Sequence, residues 1–329
     1  MASRFTFRKK DNVIFSGICC TISLLLDKKG NTMSGDLKHP IILFGNFRSG
    51  TTMLQKVIST HPDVVPLYEP VGLWLYADPG RSHDEFDEND ATDNVKRYIR
   101  NEFLKYQQQN GNRIIVEKTP HNILRIPYVR AIFPEAHFLY IVRNPLSFVS
   151  SVELKWQHPA GGKRIVRRVK STPITQLHHY LKRFLNQQWN NRILRRKYLS
   201  IWGPRYKGIQ EDVKTQDLMT VIARQWSRAS SKAERDLALF EDGQVLRLRY
   251  EDFVEDPISD LERICAHCGL QMTNDMAKAV KEMVKSDRKL KWQRFDPHDL
   301  ARIMPELCDE MERHDYEIPA EIAQSVGTV

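Results

Sequence analysis

The amino-acid sequence predicts a three-layer α/β fold with a central parallel sheet flanked by helices. Three observations lead there. Short apolar runs recur along the chain, among them Ile41-Ile42-Leu43-Phe44 and His137 to Val142, each read as a buried strand. Segments with helical spacing alternate with them, and that alternation builds a parallel sheet covered on both faces. The segments richest in chemistry, 45–52, 117–121 and 143–151, all follow strand candidates. Ligands of open parallel sheets sit beyond the carboxyl ends of the strands, so these segments are expected to converge on one rim.

The elements follow in order. A turn-like stretch from Lys28 to Pro40 precedes the first strand, 41–44, and the pattern Met53, Leu54, Val57, Ile58 marks a helix from Thr52 to about Ser59. Residues 78–94, with Asp84-Glu85 and Asp87-Glu88, read as a solvated loop. A helix is expected over 95–109, a second strand over 113–116, a helix over 123–133 and a third strand over 137–142. Another helix should begin near Leu146 and one should cover 217–240. Gln244 to Tyr250 alternates in polarity and reads as a fourth strand. The remainder reads as helical, with a break near Phe295 to His298.

Two segments stand apart. The first is residues 1–39, where Arg8, Lys9 and Lys10 precede the apolar run Val13 to Leu26. That run is short for a span, which needs about 20 residues. An amphipathic or interfacial helix in peripheral contact with a membrane is the first reading, a short signal anchor the second. The second is the basic stretch 155–215, read as a helical insert in a domain running from 40 to 329. Cytoplasmic placement with membrane association is expected. A Golgi type II arrangement is the alternative if the apolar run anchors the chain. The absence of an N-x-S/T sequon weighs against a glycosylating lumen.

Composition narrows the function classes. The chain has 329 residues, 41% hydrophobic, and a formal net charge of +9, which favours anionic ligands without choosing among them. Mean hydropathy is −0.50. Nucleic acid is not expected as a partner, because the basic residues are scattered without aromatic interleaving. Five cysteines form no framework; Cys265 and Cys268 read as buried thiols on a helix that ends at Gly269.

The loop Gly45-Asn46-Phe47-Arg48-Ser49-Gly50-Thr51-Thr52 is P-loop-like. Backbone N–H groups and a helix N-terminus favour anionic oxygens there, and Thr51 and Thr52 add hydroxyls. Thr51, however, stands where a triphosphate-binding loop carries lysine. Arg143 follows the third strand, where a magnesium-holding aspartate would be expected. A nucleotide without a γ-phosphate, bound without metal, fits better.

These segments together resemble the PAPS-dependent sulfotransferases. Gly45 to Thr52 with His61-Pro62-Asp63-Val64 is similar to that family's 5′-phosphosulfate loop and helix end. Glu117-Lys118-Thr119-Pro120 resembles the E-K-[TS]-P segment of its glycan-modifying members, and Arg143 to Ser151 resembles its 3′-phosphate site. Tyr250-Glu251-Asp252 resembles its Y-E-[DQ] strand end. The resemblance implies 3′-phosphoadenosine 5′-phosphosulfate (PAPS) as donor, PAP as product and no metal. It implies an acceptor hydroxyl or amine on a glycan or small molecule, a carbohydrate or other alcohol first.

Within it, Glu69 occupies the place of the catalytic glutamate of the tyrosylprotein-type members, with Glu117 and His121 as rival bases. Apolar and proline neighbours would raise its pKa toward neutrality. Arg48 and Lys118 are the electrostatic candidates. Phe47, Arg48, Ser49, Gly50, Thr51 and Thr52 are assigned to the 5′ end of the donor. Arg143, Ser151 and Lys155 are assigned to the 3′-phosphate. Tyr250 is placed near the adenine or a phosphate, with a core tyrosine as the competing reading. Ser286, Arg288, Lys291 and Trp292 resemble a segment that closes over the nucleotide. A P-loop kinase or nucleoside-triphosphate hydrolase and a non-catalytic binding module are the rival functions.

Overall fold

The sheet forms where apolar residues run unbroken. β1 (Ile41–Gly45) is buried at every position, as a central strand between two helical layers must be. β2 (Val64–Tyr68), β3 (Ile114–Lys118), β4 (His137–Val142) and β5 (Val245–Arg249) complete a five-stranded sheet in the order β2-β3-β1-β4-β5. Every neighbouring pair is parallel. A computed structural model describes residues 35–156, 202–284 and 291–326.

The pleat divides the core in two. Ile42 and Phe44 of β1 share one layer with Phe138 and Tyr140 of β4. Ile41 and Leu43 share the other with Leu139 and Ile141. The second layer is covered by α1 (Thr51–Ile58), α6 (Pro257–His267) and α7 (Asn274–Met283). The first lies under α3 (Ile126–Ile132), α4 (Pro145–Trp156) and α5 (Leu218–Leu237), with α2 (Asp93–Gln109) alongside. Asp217 caps α5 by accepting from Met219 and Thr220 N–H.

The sequence reading finds four of the five strands. It passes over β2, which contains Pro66. Proline removes a ladder donor and is tolerated on an edge strand, and β2 is at the edge. Side chains from α1 and α2 use its carbonyls: Gln55 donates to Leu67 O (3.0 Å) and Tyr106 to Pro66 O (2.7 Å).

Residues 78–94 also differ from the solvated loop expected. Asp84 is 1% exposed. Arg205 donates to it at 2.6 Å, Arg125 lies at 3.8 Å and His121 Nε2 at 4.0 Å. Burial alone would push the Asp84 carboxyl up; His121, Arg205 and Arg125 together outweigh it and hold it well below the usual range. A charge flanked by two guanidinium groups and an imidazole enters a core that excludes an isolated one.

Cys265 and Cys268 are buried free thiols beside Gly269, which takes φ 64° just past the end of α6. Burial, with Cys265 nearby, pushes the Cys268 thiol up to about 12. Among the described residues no helix is long and apolar enough to cross a membrane. The apolar run 13–26 and most of the basic stretch, residues 157–201, lie outside the described residues.

Candidate active site

The carboxyl ends of the strands deliver the candidate residues to one rim. β1 ends in Gly45 and the loop, β2 leads into Glu69, and β3 ends at Lys118. β4 leads into Arg143 and β5 into Tyr250. Pairing of Tyr68 with Lys118 and of Gly45 with Ile141 sets these tips side by side. After β3 the chain crosses β1 to reach β4, so the loop sits where the strand order reverses, the position at which such sheets bind ligands.

Backbone demands explain the loop's glycines. Gly50 adopts φ 100°, and a Cβ there would meet the Tyr250 ring at 2.7 Å. A Cβ on Gly45 would stand 2.6 Å from Ile141 O. Arg48 takes a left-handed φ of 71° without being glycine, local strain of the kind that accumulates at functional sites. Asn46 anchors the loop by donating to Ser230 Oγ at 2.9 Å. Ser49 and Thr51 are buried, whereas Arg48 and Thr52 are exposed. Phe47 sends its ring into the core against Phe148 (4.9 Å) and Trp202 (4.8 Å). Only its backbone is therefore available to a ligand. The first turn of α1 leaves N–H groups without intrahelical acceptors.

A second cationic group forms beside the loop. Arg48 Nε donates to Ser151 Oγ at 2.9 Å, and Arg143 Nη1 donates to Arg48 O at 2.9 Å. The Arg143 guanidinium lies 4.2 Å over the Tyr250 ring. Its own carbonyl accepts from Trp226 Nε1 at 3.1 Å. Arg48, Arg143, Ser151 and Tyr250 thus form one cluster. Tyr250 itself is buried, with its ring beneath Gly50 and Arg143. Lys155 lies on α4 with its side chain outside the described residues, and so does the side chain of Lys291, which opens a short 3-10 turn. Ser286 and Arg288 lie outside them altogether, whereas Trp292 is buried. Arg294, which no local pattern in the sequence marks, docks that turn on α4 by donating to Ser150 Oγ (3.2 Å) and Glu153 (2.8 Å).

On the other side of the loop, Lys118 Nζ donates to Glu69 Oε1 at 2.6 Å. Glu69 adopts φ 42° just beyond β2, and its side chain is 38% exposed. That of Lys118 is 5% exposed. The pair is a charge-assisted hydrogen bond at the rim, with the carboxylate on its open side and the ammonium beneath it.

The rival carboxyl of Glu117 points the opposite way on the pleat and is fully buried. Trp74 Nε1 (3.1 Å) and Thr119 Oγ1 (2.5 Å) donate to one oxygen, Asn122 Nδ2 (3.2 Å) to the other. Nothing in the local pattern of the sequence marks this cluster, because Trp74 comes from a distant turn. Burial pushes the Glu117 carboxyl up to about 7, against the hydrogen bonds of Thr119 and Trp74.

Stability should follow that shift. The folded chain holds this proton more tightly than the unfolded chain. The stabilisation is therefore full below the ordinary value of 4.5 and is lost as pH rises through about 7. Urea titrations across that window should show stability falling by up to about 1.4 kcal/mol per pH unit. Glu117→Gln should flatten the slope; an unchanged slope would exclude Glu117 as its source.

Comparisons with known proteins bear on family and fold. The Sulfotransferase family model matches residues 40–202 and 192–275. Nodulation protein NoeE of Sinorhizobium fredii is 27% identical over 150 residues, 40% of this chain and 36% of that protein. The match thus spans about a third of that relative's length. The sulfotransferase domain from the curacin biosynthetic pathway superposes with a TM-score of 0.50 at 15% identity, covering 87% of this chain and all of that one. A sulfotransferase from Alicyclobacillus acidocaldarius gives 0.45 at 16%, covering 87% and 99%. The structural likeness speaks to the fold. The family match spans the loop, the Glu69–Lys118 pair, the Arg143 cluster and β5, and with it the chain belongs to the sulfotransferase family.

Proposed function

We propose that the chain moves the sulfuryl group of PAPS to the hydroxyl of a carbohydrate or other alcohol, without a metal, with Glu69 as general base. The observation that carries this reading is the Glu69–Lys118 pair at adjoining strand tips beside an anion-binding loop. Glu69 accepts the acceptor's proton as the new S–O bond forms. The bond between sulfur and the 5′-phosphate oxygen breaks, and PAP departs with the electron pair. Lys118 and the N-terminus of α1 supply positive charge at that rim, where charge on the leaving oxygen develops. The Arg143–Ser151 cluster takes the 3′-phosphate, so donor recognition uses two separate anion sites. A carbohydrate is favoured because Glu117 to Pro120 resembles the glycan-modifying members.

Purified protein given ³⁵S-labelled PAPS, a panel of sugars, phenols, tyrosyl peptides and amines, and EDTA tests the reading. Label should pass to a sugar or other alcohol with EDTA present. Transfer of phosphate from magnesium ATP instead would establish the kinase reading.

A further inference from the structure

A turn over residues 311–316 reaches back to the end of β5. Tyr316 N–H donates to Met311 O at 2.8 Å, and Asp315 takes the left-handed φ of 55°. The reversal aims the Tyr316 ring inward, where it is 7% exposed and lies 4.7 Å under the Arg249 guanidinium. Arg249 Nη2 also donates to Asp315 O at 3.3 Å. The phenol then donates to Glu251 Oε2 at 2.8 Å. Burial, and next the Glu251 carboxylate, push the phenol well above its ordinary value, so it stays an O–H donor.

Glu251 uses its other oxygen on β4's exit. Asn144 N–H donates to Glu251 Oε1 at 3.2 Å. The Asn144 side chain in turn caps α4, accepting from Leu146 N–H (3.0 Å) and Ser147 N–H (3.2 Å). Asn144 is therefore held from both directions, and it sits between Arg143 and the helix that carries Ser151. A carboxylate bridging a phenol and a backbone N–H is a strong, directional brace, because hydrogen bonds to charged groups exceed neutral ones.

We infer that Tyr316 is a positioning residue for the donor's 3′-phosphate: through Glu251 it fixes Asn144, and with it the separation of Arg143 and Ser151. The inference rests on the assignment of Arg143 and Ser151 to that phosphate. Tyr316 touches neither residue, and its effect runs through the brace alone.

The test compares ligands that differ only in that phosphate. Calorimetry on the full chain gives the affinities of PAP and of AMP, and thermal unfolding is followed in parallel. Wild type should prefer PAP. Tyr316→Phe, which keeps the ring and removes the donor, should weaken PAP by about three- to tenfold and leave AMP unchanged. Glu251→Gln, which places an amide against Asn144 N–H or the phenol, should lower the same ratio at least as far. In turnover, the KM for PAPS should rise with kcat and the acceptor KM unchanged. Equal loss of PAP and AMP affinity, or a lower Tm with an unchanged ratio, would reduce Tyr316 to a stability role and overturn the inference. A wild type without preference for PAP would overturn the 3′-phosphate assignment and this inference with it. A wild-type preference that survives both substitutions overturns this inference alone.

Discussion

Glu69→Gln should lower kcat by about two to four orders of magnitude, the range contributed by a positioned general base. PAP affinity should stay within about twofold, because a neutral isostere removes no phosphate contact. Three observations single out Glu69 among the acidic and imidazole groups of the rim. It lies at a strand tip in a strained left-handed conformation. It is partly exposed and so open to an acceptor, whereas Glu117 is enclosed by three donors. His121 faces the buried Asp84 at 4.0 Å. Single-turnover transfer from labelled PAPS isolates the chemical step from product release. Lys118→Ala should also depress that step, because it removes positive charge from the rim where the leaving oxygen develops its own. If Glu69→Gln transfers label within about threefold of wild type, the proton has another acceptor and the assignment fails.

What could be read from the sequence follows from the range of the interactions involved. β1 and β4 are legible because a strand buried on both faces must be continuously apolar, as Ile41–Phe44 and Phe138–Val142 are. The loop is legible because tight backbone geometry restricts residue type, and Gly50 against Tyr250 shows the restriction directly. β2 is hidden by Pro66, whose cost disappears only when the strand is known to be an edge. Asp84 reads as solvated because its compensation comes from Arg205, far along the chain. The bond from Arg48 to Ser151 and the brace from Tyr316 to Glu251 are equally non-local. Local pattern therefore reveals which tips carry chemistry. Which tips touch is a property of the packed sheet, and the pairing of Glu69 with Lys118 becomes definite only once β2 lies beside β3.

The second large effect is expected at Arg143. Arg143→Ala should weaken PAP binding by about one to two orders of magnitude, the equivalent of one or two charge-assisted hydrogen bonds. The guanidinium is pre-organised: it is 9% exposed, tied to Arg48 O and 4.2 Å over the Tyr250 ring. Little side-chain entropy remains to be lost when an anion arrives, so most of the interaction is realised as affinity. Arg143→Lys separates charge from shape. Lysine keeps the positive charge but loses the planar fork and the guanidinium's contact with the Tyr250 ring, so it should recover only part of the binding. AMP supplies the control, since it lacks the 3′-phosphate and its affinity should change little in either variant. The Arg143 side chain also supports the loop through Arg48 O, so some loss of Tm is expected in Arg143→Ala. That loss alone would lower PAP and AMP affinity together. A selective loss of PAP places the 3′-phosphate on Arg143, and an unchanged ratio of PAP to AMP affinity removes it from that site.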